Sequence, residues 1–552
     1  MAWRKRDESI SGIRQAHLAR LGIEGTEAIN DWYRRHYAAA YRIDGLEEAC
    51  AMIEAHKDGP IIICGDYDAD GVCATALMVL ALRAYGCRDV SYRIPKRHTE
   101  GYGLAPGIVE EIAAARGGGL IVTVDNGIAA HAAVSLAKEK GFDVLLTDHH
   151  LPVRTDAGDA LLPEADLVID PWAVCGSADF CSYCGAGLAY RIAKQLLGRA
   201  RSEVYLPLAA VATVADVVPL TEENYVIVRR GLELLNKEYA PKGLLALKAA
   251  KGGGPVTSTD IGFSYGPMIN SPGRLYDDGA KMAVDLLIGP GETDKAMALI
   301  KVNEERKLLA KEGTEKAEGS ARVIGGKLVL SCAGMEQGIV GIAAGRLSEE
   351  HGMPAIVLTP VEGDPDTLKG SARSVPGVHM KQLLDAASGA IEAYGGHEGA
   401  AGLTVRKDRL EDFETALERA LLSVTLPDEE ASDLYDVEIR AEGIMPALEE
   451  DALYEPFGEG NERLVYKIEG FRLDRSYRGG IRDIGTDGLT LTGAACRAVA
   501  FTGRERFKAL AQFGTLDLYG HISFNWYKGK RYPQIEIMDM EPSSGEEVKE
   551  HG

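Results

Sequence analysis

Ile61-Ile62-Ile63-Cys64-Gly65-Asp66-Tyr67-Asp68-Ala69-Asp70-Gly71 is the stretch that decides how the chain folds. An apolar run stops at a glycine, and three aspartates then follow at every second position. A buried strand has little structural reason to end this way, because crowded carboxylates repel and desolvate one another unless a cation sits among them. The stretch predicts a strand whose C-terminal end forms one wall of a metal site.

Four further apolar runs follow, each closing on polar residues. They cover 90–94, 120–124 before Asp125-Asn126-Gly127, 144–147 before Asp148-His149-His150, and 167–169 before Asp170-Pro171. Helix-like stretches at 72–85 and 129–140 lie between them. Strand, helix, strand at this period means βαβ units and a parallel sheet, so the fold class is α/β. Asp66, Asp125, Asp148 and Asp170 all fall just past a strand end, the edge where open α/β sheets bind ligands. A single aspartate there is normally a helix cap, which is how Asp170 reads. Asp66, Asp68, Asp70, Asp125 and His149 taken together require a cation. Asp216 closes the apolar helix at 206–214, and two readings of it stand side by side: a salt-bridged core acid or a further ligand.

Domain limits follow from shifts in pattern. Residues 1–58 read as an N-terminal helical segment, 59–291 as the first α/β domain, and 292–320 as one long, largely solvated connector helix. A second α/β pattern spans 321–427. Its glycines, packed beside Arg and His, suggest backbone brought close to a phosphate or carboxylate, although any one of them is more simply a tight turn. After an acidic linker at 428–434, short alternating strands predict a small β-barrel over 435–543. Its hairpin around Lys528-Gly529-Lys530-Arg531 has a basic tip flanked by Phe524, Trp526 and Tyr527, as core or as a base-stacking platform.

With 552 residues the chain is too long for one core. No signal-peptide h-region follows the basic residues of the N-terminus, and no run of about 18 apolar residues occurs, so neither a leader nor a membrane span is expected. Nine scattered cysteines suit a reducing cytoplasm better than a disulfide scaffold. The net charge of −22 argues against a protein that coats nucleic acid nonspecifically.

Hard oxygen ligands with one or two imidazoles, and no cysteine at the strand ends, favour Mn²⁺ or Mg²⁺ over zinc. The Cys181-x-x-Cys184 pair, with Cys175 nearby, lacks the partnering pair of a zinc site. Carboxylates enough for two cations imply phosphoryl chemistry. Without a P-loop or a serine elbow, ATP hydrolysis and acyl transfer have no support.

Gly65-Asp66-Tyr67-Asp68-Ala69-Asp70-Gly71, Val124-Asp125-Asn126-Gly127, Thr147-Asp148-His149-His150 and Ala215-Asp216-Val217-Val218-Pro219-Leu220 resemble the successive motifs of the DHH phosphoesterase superfamily. Gly395-Gly396-His397-Glu398-Gly399-Ala400-Ala401-Gly402 resembles the signature of its DHH-associated domain. Within the superfamily, the 94–103 segment, the Asn270-to-Arg274 segment and the added barrel resemble the RecJ family of single-strand-specific exonucleases. This resemblance implies a parallel-sheet DHH domain, a connector helix, a DHH-associated substrate-binding domain and an OB-like nucleic-acid-binding barrel. It implies two Mn²⁺ or Mg²⁺ ions held by Asp66, Asp68, Asp70, Asp125, His149 and Asp216, with His150 facing the scissile phosphate and Asp148 orienting the histidines. Arg97 and Tyr102 resemble residues near the 5′ end of the strand; Arg274, Arg346, Ser371, Arg373 and His397 resemble phosphate-binding positions. The implied activity is 5′-to-3′ hydrolysis of single-stranded DNA in repair and recombination by a cytoplasmic monomer, with a single-strand-binding protein or a helicase as candidate partners. Ser271-Pro272 and Asn126 depart from the family pattern, which often has two alanines and a cysteine there. The acidity of the chain then requires a basic groove between the lobes against an acidic exterior. Competing readings are a DHH phosphodiesterase for short oligoribonucleotides, cyclic dinucleotides or small phosphorylated nucleotides, and a non-catalytic binding module.

Overall fold

The opening stretch forms strand β1 (Pro60–Cys64), and β2 (Asp89–Arg93), β3 (Gly119–Thr123), β4 (Phe142–Thr147) and β5 (Leu167–Ile169) join it. In the computed structural model they form one all-parallel sheet in the order β2–β1–β3–β4–β5. The structure describes residues 3–30, 41–155, 157–173, 176–426, 434–476, 478–485, 487–527 and 530–543. The linker at 428–433, Cys175 and the hairpin tip at 528–529 lie outside them. β1, β3 and β4 are almost wholly buried, which is why they read as unbroken apolar runs.

Helix α1 (Ala69–Tyr85) starts where Asp68 caps it and is buried on nearly every side from Ala69 to Leu82. It is covered by the sheet and by α2 (Gly185–Leu197) and α3 (Leu206–Ala215). Burying side chains such as Leu77, Met78 and Leu82 is worth about 1.5–3 kcal/mol each, which fixes the strand ends beneath them. Helix α4 (Gly266–Leu275) follows, with Pro272 inside it.

Helix α5 (Thr293–Gly319) runs for 27 residues, about 40 Å. It is less solvated than its charge pattern predicts. Ala296, Leu299, Val302, Ala310 and Ala317 form a buried stripe, packed on α4 and on α6 (Gln337–His351). α5 is therefore a spine shared by two lobes.

The second lobe has β6 (Arg322–Ile324), β7 (Leu328–Cys332), β8 (Ala355–Val361), β9 (Asp364–Arg373), β10 (Ala393–Gly396) and β11 (Ala400–Arg406). They form a mixed sheet in the order β10–β11–β9–β8–β7–β6. The last lobe is a seven-stranded sheet ending in a long hairpin, β12 (Thr515–Tyr527) with β13 (Lys530–Pro542). Phe524 packs against the core of this lobe, whereas Trp526 is 43% exposed.

The N-terminal stretch, read as one helical segment, divides between two lobes. Tyr41, Ile43, Leu46, Ala49 and Ile53 enter the core of the first lobe. Arg4–Lys5 instead pairs with Leu434–Tyr435, Trp3 stacks on Tyr519 at 4.7 Å, and Ile13 and Ala16 join the core of the last lobe. Local periodicity predicts a helix but carries no information about which distant surface it covers.

Candidate metal centre and phosphate-binding groove

β1, β3 and β4 end at the same edge, so Asp66, Asp125 and Asp148-His149-His150 converge there. Asp68 is the N-cap of α1, its Oδ1 accepting from the amides of Asp70 and Gly71, both at 3.0 Å. Asp70 is buried, and its two oxygens accept from the amides of Gly185 at 2.6 Å and Ala186 at 2.8 Å. These amides open α2, whose positive dipole end supports a carboxylate. Gly185 is required there, since a Cβ would lie 2.4 Å from that of Asp125. Asp125 has φ 63°, an unusual conformation for a residue other than glycine, which the packing around it must hold. Asp66 is buried with neither carboxylate oxygen hydrogen-bonded.

The Nε2 of His149 lies 3.0 Å from Asp125 Oδ1, 3.6 Å from Asp70 Oδ2 and 3.7 Å from Asp216 Oδ2. Asp66, Asp68 and Asp125 form one set with a donor atom each, all within 4.8 Å of one another. Asp70, His149 and Asp216 form a second such set, and Asp125, His149 and His150 a third. Asp125 thus borders two adjacent pockets. Burial, followed by the charge of Asp68, raises Asp66 well above the ordinary carboxylate range. Burial and the charges of Asp70 and Asp68 do the same to Asp125, and they push Asp216 up to about 9. His149 is held below its ordinary value by burial, so it presents a neutral imidazole. Acids driven this far towards their neutral form, one with both oxygens unpartnered, suit a pair of hard divalent cations.

Asp148 stands behind this layer. Its Oδ1 accepts from the amides of His149 at 2.8 Å and His150 at 3.2 Å and lies 2.7 Å from His150 Nδ1; its Oδ2 accepts from the Ile128 amide at 2.9 Å. Burial opposes the charge on both partners, but their mutual hydrogen bond outweighs it, lowering Asp148 and raising His150 to about 9. The Tyr102 hydroxyl donates to the Asp125 carbonyl at 2.8 Å, and its ring meets His150 edge-on at 5.5 Å. Asp170, read as a helix cap, instead closes a turn, since no helix directly follows it among the described residues: its Oδ1 accepts from the amides of Trp172 at 2.8 Å and Ala173 at 3.2 Å. Cys184 is a buried thiol at the start of α2, accepting from the Gly187 amide, and burial pushes it well above the ordinary thiol range.

Beside the acids lies a cluster of arginines. Arg97 sits over the Tyr67 ring at 4.4 Å. Arg274, at the end of α4, is lowered to about 10 by burial and then by the charges of Arg97 and Arg306, with Arg373 adding to them. Burial also lowers Arg373, and burial followed by the charge of Arg346 lowers Arg306. Arg373 Nη1 donates to Ser371 Oγ at 2.9 Å. Among the described residues none of Arg97, Arg274, Arg306, Arg346 and Arg373 forms an ion pair. Cations this crowded lack only an anion. His397 stays exposed in the turn between β10 and β11, its Nδ1 accepting from the Gly399 amide at 3.2 Å, outside the hydrogen bonds of this cluster.

Sequence reasoning passed over Arg306 and the side chain of Asn270. Asn270 Oδ1 is buried without a partner and lines a cavity of about 150 Å³ with Arg274, Arg306 and Ile342. Arg306 carried no signal, being one of many charges on α5.

Family models match along the chain: the DHH family N-terminal domain over residues 60–215, the DHHA1 domain over 325–423 and the RecJ OB domain over 435–539. The single-stranded-DNA-specific exonuclease RecJ of Salmonella typhimurium is 36% identical over 404 residues, 68% of this chain and 68% of that protein. The chain belongs to the RecJ family. RecJ of Escherichia coli is 36% identical over 403 residues, again 68% of each chain, and RecJ of Bacillus subtilis is 31% identical over 547, covering 96% of this chain and 66% of that one. Among solved structures, RecJ from Thermus thermophilus in complex with Mn²⁺ aligns with a TM-score of 0.75 at 27% identity, covering 97% of this chain and 78% of that one. An exonuclease RecJ bound to manganese aligns at 0.60 and 31% identity, over 71% of this chain and 98% of that one.

Proposed function

We propose that the chain is a metal-dependent exonuclease that hydrolyses single-stranded DNA from its 5′ end to nucleotides, in repair and recombination. The carrying observation is the juxtaposition of two features: a cluster of crowded buried acids, one of them with both carboxylate oxygens unpartnered, and beside it five arginines without a carboxylate. A phosphodiester with its metal ions satisfies both at once. Asp66, Asp68 and Asp125 would hold one cation, and Asp70, His149 and Asp216 the other, with Asp125 between them. The ions supply, when bound, the charge neutralisation and nucleophile activation that hydrolysis at phosphorus needs.

The remaining roles belong to the chain's own groups. His150, kept protonated by Asp148, donates to the scissile phosphate, and Asp148 holds its ring and tautomer. Arg274, Arg306, Arg346, Ser371 and Arg373 bind phosphates, and Arg97 with Tyr102 meets the 5′ end of the strand. His397 approaches the same backbone from the glycine-rich turn, and the last lobe carries the strand beyond it. No described helix is long and apolar enough to cross a membrane. On this reading the enzyme works as a monomer in the cytoplasm, on strands presented by a single-strand-binding protein or opened by a helicase.

The test is a Mn²⁺-dependent assay on single strands labelled at either end, on the matching duplex, and on a dinucleotide. Label released first from the 5′ end of single strands supports the proposal. Equal cleavage of strand and duplex, or a preference for the dinucleotide, sinks it.

A further inference from the structure

Asp216 reaches the metal edge from a segment that the first lobe alone does not secure. It ends α3, and the next residue, Val217, has φ 59°, a conformation that a β-branched residue adopts only when its surroundings hold it there. The residues that follow are held from both sides: Asn224 Nδ2, in the first lobe, donates to the Pro219 carbonyl at 3.0 Å, and the last lobe takes hold one residue later, at Leu220. Its 454–461 loop lies along residues 219–221. The Leu220 amide donates to the Glu459 carbonyl at 2.7 Å, Tyr225 Oη to the Glu455 carbonyl at 2.9 Å, and Ser258 Oγ to the Phe457 carbonyl at 2.7 Å. Gly458 is the point of closest approach: a Cβ there would lie 2.7 Å from Leu220 Cδ1.

The loop is itself rigid. The buried Asn461 amide donates to the carbonyls of Tyr454 at 2.9 Å and Pro456 at 2.8 Å. His17, from the N-terminal helix (Ile13–Arg20), stacks on Tyr454 at 4.2 Å and Phe457 at 5.5 Å, and its Nε2 lies 2.8 Å from Asp451 Oδ1. Three segments remote in sequence are thus joined in series behind one acid.

We propose that the 454–461 loop is a positioning element of the metal site, holding residues 217–220 so that Asp216 meets its cation. The inference rests on the reading of Asp216 as a ligand. It gives the last lobe a second task beside carrying the strand, and makes the placement of Asp216 dependent on a domain that contributes no ligand.

The experiment titrates Mn²⁺ into full-length protein without nucleic acid, by calorimetry and electron paramagnetic resonance, for wild type, Gly458→Ala and Tyr225→Phe. Wild type takes up two ions. Gly458→Ala weakens one of them about tenfold and leaves the other unchanged, as outer supports of a ligand do. The Mn²⁺ concentration for half-maximal cleavage rises by the same factor, while KM for the strand at saturating Mn²⁺ does not move. Tyr225→Phe, which deletes one hydroxyl and decides the matter if Gly458→Ala fails to fold, weakens the same ion by a smaller factor. Folded variants with both Mn²⁺ affinities at the wild-type value overturn the proposal, whatever their thermal stability. A wild type that binds two ions but leaves single strands intact overturns the nuclease reading alone.

Discussion

Asp66 shows what the metal edge costs the folded chain. A buried carboxylate with no donor is driven towards its neutral form, and Asp125 and Asp216 share that fate. Cations can bind only after those protons leave, so Mn²⁺ uptake is accompanied by net proton release. The sign follows from the raised values: affinity for Mn²⁺ rises with pH towards about 9, where Asp216 loses its proton, and calorimetric heats at pH 7 vary with the ionisation enthalpy of the buffer. Buffer-independent heats would mean that the acids are already ionised. Asp125→Ala removes the residue that borders both pockets. It is expected to abolish cleavage and also the rise in unfolding temperature that Mn²⁺ gives wild type by binding the native state. Asp148→Asn touches no pocket, yet takes the carboxylate from His150 Nδ1, and is expected to lower activity by about 10–100-fold. A full-strength Asp148→Asn enzyme would remove His150 from the proposed mechanism.

At the scale of elements, the first sheet was legible because β1, β3 and β4 are solid apolar runs closed by acids, and a buried parallel strand ending at a ligand edge accounts for both features. β2 is mixed and half-buried and was legible only by its spacing. Helix starts were less so: α1 begins at Ala69, because Asp68 caps it, whereas periodicity alone places the first apolar turn at residue 72. What stayed hidden are contacts made by short loops without a period. Gly185 against Asp125 and Gly458 against Leu220 are close approaches between segments that no local pattern relates. Gly338 is another. It opens α6 against the end of α4, where a Cβ would lie 1.9 Å from the Arg274 carbonyl oxygen, a backbone atom that cannot turn aside. Gly338→Ala must therefore shift the second lobe against the first and separate Arg274 from the arginines opposite. Steady-state kinetics should show KM for single strands raised about tenfold, with kcat less affected, as expected when uniform binding is lost. Mn²⁺ affinity should stay at the wild-type value, in contrast to Gly458→Ala. An unchanged KM would show that the interface between the lobes does not set strand binding.

For the whole molecule the difficulty is charge. A chain with a net charge of −22 must attract a polyanion. The structure resolves it by segregation: many surface lysines and arginines are matched by nearby acids, whereas Arg97, Arg274, Arg306, Arg346 and Arg373 are gathered, mutually repelling and without an ion pair, beside the metal edge. Such a cluster attracts phosphates locally although the molecule repels them at a distance, and the two effects respond differently to salt. Long-range repulsion is screened within about 10 Å at 0.1 M salt, so adding salt relieves it. Contact with phosphates displaces counterions, and each contact on a single strand contributes about −0.7 to the slope of log affinity against log salt. Strand binding should therefore weaken with salt throughout. Arg306→Ala and Arg346→Ala should each make the slope shallower by about 0.7, measured by fluorescence anisotropy with Ca²⁺ in place of Mn²⁺. A weaker affinity with the slope unchanged would mean that the arginine shapes the groove without touching a phosphate. For Arg306, whose Nε already donates to Asn303 Oδ1, that is the alternative the slope separates from phosphate binding.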